Sequence, residues 1–268
     1  MSNTIALGIE YDGSHFCGWQ IQPDVPTVQA TLEKALAAFL NEPTSTFCAG
    51  RTDTGVHATN QVVSVITPHH RAEQNWIRGL NANLPEGVAV RWMRPVPDTF
   101  NARFSAHARV YEYWIRNDPI RSPLWEKRTG WVFRALDIEK MRAASEVLIG
   151  THDFTSFRAS SCQAESPIRT LTRIEMIQQG PLIGIRLEAN GFLHHMVRNI
   201  VGSLIYVGTG REPVAWMGEV LEAKNRDVAA PTFSPSGLYF TGVRYVDCPL
   251  EPYSVSPFGW ADNGPKRL

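Results

Sequence analysis

Apolar residues recur at every second position at Ile5, Leu7, Ile9 and Tyr11, the period of a strand. Asp12-Gly13 then breaks the run, and a loop carries the chain to Pro26. From Thr27 the period changes. Val28, Leu32, Leu36, Phe39 and Leu40 share one helical face, with Thr27 placed to cap its first turn. A short strand at 44–49, a polar loop and a Val-rich strand at 61–66 follow. Trp76, Ile77, Leu80 and Leu84 predict a second helix, and residues 88–96 a closing strand. This order, β-α-β-β-α-β, is the split βαβ arrangement of ferredoxin-like domains.

The second half predicts a similar unit. Residues 110–115 form a strand, and 138–149 a helix with Met141, Ala144, Val147 and Leu148 inward. Strands at 171–177 and 183–187 make a hairpin around Gln179-Gly180-Pro181. A helix spans 193–207, and a strand from Leu238 to Tyr245 closes the unit. The fold class is therefore α+β: two tandem ferredoxin-like units whose antiparallel sheets could join across the middle. Domain bounds fall at 1–104 and 105–246, with a Pro- and aromatic-rich tail at 247–268 that has no clear period. Residues 118–136, 150–168 and 208–236 look inserted.

Composition narrows the class. With 268 residues and 43% hydrophobic content the chain can bury a real core. No apolar run is long enough to span a membrane, and Met1-Ser2-Asn3-Thr4 does not begin a signal peptide. Cys17, Cys48, Cys162 and Cys248 are scattered, without zinc spacing, as expected of reduced thiols in a cytoplasmic protein. Net charge is +0 at pH 7, yet only five of the 26 basic residues are lysine. Arginine is the better fork for phosphate and stacks on bases, although a GC-rich genome produces the same bias. A neutral total leaves room for a one-sided basic cleft.

The densest chemistry lies in Gly50-Arg51-Thr52-Asp53-Thr54-Gly55-Val56-His57-Ala58. In an extended loop Arg51 and Asp53 share a face, and a nearby guanidinium favours the ionised carboxylate. That is the form required of an attacking or proton-abstracting Asp. Asp-Thr-Gly is also ordinary turn chemistry, and it is the signature of aspartic proteases. Protease chemistry needs two carboxylates sharing a proton, and no second Asp-Thr-Gly or Asp-Ser-Gly occurs. Only a homodimer would rescue it.

Two further segments carry polar groups beside apolar ones. In Asn190-Gly191-Phe192-Leu193-His194-His195-Met196-Val197-Arg198-Asn199, a helical stripe from Leu193 to Leu204 is bordered by His194 and Arg198, and by His195 and Asn199. Arg198 beside an apolar face wants a carboxylate, and Asp53 is a candidate. Adjacent histidines on a helix point in different directions, which argues against zinc. In Asn101-Ala102-Arg103-Phe104-Ser105-Ala106-His107-Ala108-Arg109-Val110-Tyr111-Glu112-Tyr113, two tyrosines share a strand face behind Arg103 and Arg109. Such a face can stack a base and hold its phosphate, or simply pack.

Taken together, these segments resemble the tRNA pseudouridine synthase A family over nearly the whole chain. The likeness extends to Tyr11-Asp12-Gly13-Ser14-His15-Phe16-Cys17-Gly18-Trp19-Gln20, Asp153-Phe154-Thr155-Ser156-Phe157-Arg158 and Ser236-Gly237-Leu238-Tyr239. Thr54 stands where the family often has alanine, and the tail from Asp247 is idiosyncratic. The resemblance implies two ferredoxin-like domains whose antiparallel sheets meet around a central cleft, and a homodimer that binds tRNA across both subunits and isomerises uridine to pseudouridine in the anticodon stem-loop, at tRNA positions 38–40. It makes Asp53 the catalytic carboxylate, with Arg198 its partner and Tyr111 set against the uracil to move the proton at C5. Arg51 would help displace the flipped base and Leu238 pack beneath it. His194, Arg103 and Arg158 complete the substrate-binding set. No metal or cofactor is expected. The rival is a non-catalytic RNA-binding protein, which would be expected to lose Asp53, Arg51 or Tyr111.

Overall fold

A computed structural model describes residues 3–260. Along the chain run β1 (Asn3–Tyr11), α1 (Val28–Leu40), β2 (Thr46–Cys48), β3 (His57–Thr67), α2 (Glu73–Asn81) and β4 (Val88–Val96). There follow β5 (Ala106–Asn117), β6 (Gly130–Val132), α3 (Ile138–Ser145), β7 (Gly150–Asp153), β8 (Ile168–Gln179) and β9 (Leu182–Ala189). The last elements are α4 (Met196–Gly208), α5 (Trp216–Ala223) and β10 (Leu238–Tyr245). They form two compact units. One gathers the described residues of Met1–His107 and Tyr239–Leu268, the other Ala108–Leu238.

The first unit builds a sheet in the order β4-β1-β3-β10, with β2 on β3. β1 lies antiparallel to both β3 and β4, while β10 joins β3 in parallel at Tyr239↔His57 and Phe240↔Ala58. α1 starts where Thr27 Oγ1 accepts from the Ala30 amide and stops at Asn41, which turns left-handed at φ 59°. Its face of Val28, Leu32, Ala35, Leu36 and Leu40 is buried. α2 buries Trp76 and Leu80, but it ends at Asn81, so Leu84 lies beyond the helix that the apolar spacing predicts. The described part of the tail, whose sequence shows no clear period, packs on this unit. Ser254 bridges Gly242, Asn60 Nδ2 donates to the Pro252 carbonyl, and Phe258 meets Tyr239 edge-on. Residues 1–2 and 261–268 of the expected start and tail lie outside the described residues.

The second unit pairs β5-β9-β8-β7 antiparallel, with β6 parallel to β5. β8 and β9 form the expected hairpin, turning at Gly180. α3, α4 and α5 bury Met141, Ala144, Ile200, Val201, Leu204, Met217 and Val220. Three details differ from the sequence pattern. Segments that look inserted contribute β6, β7 and α5. The helix ending in Leu148 tightens into a 3-10 turn after Ser145, which swings Val147 outward to 42% exposure. α4 begins at Met196 rather than Leu193, because His195 adopts a left-handed conformation at φ 62°. One buried ion pair crosses β5 and β9: both Nε and Nη2 of Arg186 donate to Glu112 Oε1, at 3.0 and 2.7 Å. Trp114 Nε1 donates to the other carboxylate oxygen at 2.8 Å.

Each unit is thus mixed α+β with a mostly antiparallel sheet. Among the described residues no helix is long and apolar enough to cross a membrane.

Candidate active site

The Asp53 loop leaves β2 and re-enters the sheet at β3, and its backbone is held from three sides. Gln61 on β3 acts as a surrogate strand for Gly50: its amide donates to the Gly50 carbonyl at 2.6 Å, and its carbonyl accepts from the Gly50 amide at 3.3 Å. At the next turn the Thr52 carbonyl accepts from Trp19 N–H at 3.0 Å. The Thr52 hydroxyl shares a 2.7 Å hydrogen bond with the Tyr11 phenol at the end of β1. Val56 N–H then closes a turn onto the Asp53 carbonyl at 3.1 Å. Thr52 is consequently buried, while Arg51 on one side is exposed and Asp53 on the other half-buried.

The Tyr11–Trp19 segment supplies the close packing under this loop. Gly18 sits at φ 88°, and a methyl there would lie 2.8 Å from the Thr52 carbonyl oxygen. A methyl on Gly13 would fall 2.0 Å from the Val56 carbonyl oxygen. The Gly13 amide instead donates to Nδ1 of His57 at 3.1 Å, and the His57 ring stacks on Tyr239 of β10 at 4.7 Å. These contacts anchor the Asp53 turn on the first unit's core.

Electrostatics follow burial. Desolvation pushes the Cys48 thiol up to about 12, against the opposing fields of Arg51 and Arg103. Both guanidinium groups therefore act on the end of β2. Desolvation also lifts the Tyr11 phenol far above its ordinary range, with the hydrogen bonds to Thr52 and Gln61 opposing. Arg103 itself is exposed, its guanidinium 5.3 Å from the Phe104 ring centre.

The remaining expected residues lie in the second unit. Tyr111 is 8% exposed on β5, with its ring edge-on to Phe192 at 5.0 Å. Tyr113 shares its face but is fully buried, its hydroxyl donating to the Ser234 carbonyl at 2.7 Å. Tyr113 is thus a packing residue. Arg198, half-buried on the first turn of α4, donates through Nε to the Phe233 carbonyl at 2.8 Å. Leu238 is buried directly after the turn that Ser234 caps.

His194 and His195 are not helical and do not diverge. The left-handed turn at His195 folds their rings to 3.9 Å, and Ser161 Oγ lies 3.2 Å from His194 Nδ1. His194 stays exposed, its carbonyl accepting from Ala159 next to Arg158. Arg158 donates to the Cys162 carbonyl at 2.8 Å. Burial alone would raise the Asp153 carboxyl, but Thr155's hydroxyl and amide, with Lys224 and Arg158, carry it below its ordinary value.

Several residues that shape the site carry no signal in the local pattern. Asn199 has the spacing of a solvated helix flank, yet it is completely buried. Its carbonyl accepts from Thr232 and Arg226, and its amide donates to the Phe157 carbonyl. Thr52 and Gln61 are the same kind of miss. A polar residue in a strand or loop reads as exposed until its partner is known, and both partners are remote in sequence.

With this geometry in hand, the comparisons with known proteins agree. The family described as tRNA pseudouridine synthase matches residues 8–105 and 144–246. The chain belongs to this family, whose members are isomerases. Three curated relatives are called tRNA pseudouridine synthase A. The one from Paraburkholderia xenovorans is 53% identical over 241 residues, 90% of this chain and 89% of its own. That from Bordetella petrii is 53% identical over 243 residues, covering 90% and 91%. That from Burkholderia thailandensis is 51% identical over 258 residues, covering 96% of each.

Proposed function

We propose that this chain isomerises uridine to pseudouridine in the anticodon stem-loop of tRNA, at positions 38–40, with Asp53 as the catalytic carboxylate. The observation that carries the assignment of Asp53 is its setting. Tyr11, Trp19 and Gln61 anchor Thr52 and Gly50, so the backbone on the N-terminal side of Asp53 is fixed while its side chain stays half-buried. A fixed carboxylate is what a reaction at one atom of a flipped nucleotide requires.

The chemistry breaks N1–C1′ and joins C1′ to C5; the C5 proton leaves to solvent and N1 gains one. Reaching a base in a stem requires extrusion, at a few kcal/mol of unstacking. Asp53 then attacks C1′, takes the C2′ proton or adds to C6. Arg198 pairs with Asp53 and Arg51 helps displace the base. Tyr111, in the middle of β5, lies against the uracil and moves the C5 proton, and Leu238 packs beneath. His194, Arg103 and Arg158 contact the tRNA. No cofactor or metal enters this scheme.

The two units correspond in this reading to tandem ferredoxin-like domains, an arrangement supported by the β-α-β-β-α-β order of β1 to β4. In the same reading the chain is a cytoplasmic homodimer that binds tRNA across both subunits. The test uses transcript tRNA tritiated at uridine C5. Label should pass to water with the parent and not with Asp53→Asn. The variant's tRNA affinity should stay within about tenfold, roughly 1.4 kcal/mol. Turnover by the variant would remove Asp53 from the mechanism. Tight binding without release by the parent would favour an RNA-binding protein.

A further inference from the structure

Residues 226–234 run alongside α4, tied to it through Arg198, Asn199 and Ser203. Asn199 Oδ1 accepts from Thr232 Oγ1 at 2.7 Å and from Arg226 Nη2 at 3.1 Å, and its Nδ2 donates to the Phe157 carbonyl at 2.8 Å. One turn on, Ser203 Oγ accepts from the Ala230 amide at 3.3 Å. At the other end of the strap, Phe233 is clamped twice by one residue. Its N–H donates to the Arg198 carbonyl at 3.3 Å, and its carbonyl accepts from Arg198 Nε at 2.8 Å. Beyond it, the Ser234 carbonyl accepts from the Tyr113 hydroxyl at 2.7 Å.

We infer that Asn199 and Thr232 are positioning residues for Arg198, a role that rests on the proposed part played by Arg198 in the reaction. The chain of contacts is short. Thr232 is held by Asn199, and Phe233 follows it directly. The Phe233 carbonyl in turn fixes Nε of the arginine, and with it the plane of the guanidinium. An arginine has several rotatable bonds, and an anchored Nε narrows the range of directions open to its terminal nitrogens. Asn199 is fully buried, so its partners cannot be replaced by water without a loss. The same strap runs on through the turn capped by Ser234 to Leu238.

Thr232→Val removes the hydroxyl while keeping the shape, and Thr232→Ser keeps the hydroxyl. Single-turnover release of tritium and tRNA affinity are measured for both, alone and combined with Arg198→Ala, and thermal unfolding confirms that each variant folds. Thr232→Val should slow the single-turnover rate by about tenfold, with tRNA affinity within about threefold, and Thr232→Ser should restore the rate. In the Arg198→Ala background, Thr232→Val should have no further effect on rate. Equal slowing in both backgrounds would overturn the positioning role while leaving Arg198 in the mechanism. So would an effect of Thr232→Val on affinity alone. An Arg198→Ala enzyme as fast as the parent would instead overturn the assignment of Arg198, and the positioning role with it.

Discussion

The phenol of Tyr11 and the hydroxyl of Thr52 share a buried 2.7 Å hydrogen bond, joining the end of β1 to the residue preceding Asp53. Strand and loop are therefore one rigid piece at this point. Thr52→Val should leave the Tyr11 hydroxyl without that partner, costing about 1–2 kcal/mol in stability and about tenfold in turnover. Urea unfolding and tritium release measure the two effects. Loss of stability with unchanged turnover would show that the bond serves the fold alone.

Gly18 and Gly180 both occupy left-handed backbone, at φ 88° and 57°, but only Gly18 has neighbours within reach of a methyl group. Alanine at Gly180 should cost about 1–2 kcal/mol, the conformational penalty alone. Alanine at Gly18 should cost more and reduce turnover, because the methyl pushes on the Thr52 carbonyl. Comparing the two variants by urea midpoint and activity separates backbone strain from displacement of the loop.

Cys48 predicts a pH dependence. Its thiol is held to about 12 in the folded chain against 9.0 for the free group, chiefly by burial. The folded state therefore holds this proton more tightly than the unfolded state. The contribution is fully present below about pH 9 and is lost as pH rises toward about 12. Cys48→Ala should flatten that part of the alkaline unfolding curve. In the parent, Cys48 should also alkylate more slowly than Cys17 at pH 8, as read by mass spectrometry.

Arg186 and Glu112 form an ion pair with side chains 3% and 0% exposed. Arg186→Met should take from the buried carboxylate its ion-pair partner, while the Trp114 indole bond stays, and destabilise the chain by about 3–5 kcal/mol. The double variant Arg186→Met/Glu112→Met should recover much of this. Chemical denaturation decides it. A double variant no better than the single would mean that packing around the pair, rather than the uncompensated charge, dominates.

α1 was legible because everything that makes it lies within its own residues: Thr27 caps it and Val28, Leu32, Leu36 and Leu40 recur at helical spacing. The β8–β9 hairpin was legible for the same reason. The start of α4 was not, since apolar spacing continues through Leu193 and only the left-handed turn at His195 interrupts it. β6 and β7, at three and four residues, are too short to show a period. Of the site, the Asp53 loop stood out by its residue types. The residues that hold it did not, because Tyr11, Trp19 and Gln61 do so through tertiary hydrogen bonds that leave no periodic trace.

The parallel pairing of β10 with β3 also bears on biosynthesis. The ribosome finishes β3 early, but the strand that lies beside it at His57 and Ala58 emerges only after the whole of Ala108–Leu238 has been made. Until then that edge of β3 lacks its native neighbour. The first unit, although begun first, is therefore the last to be completed, and a nascent chain stalled before Tyr239 would expose an unpaired sheet edge open to wrong partners.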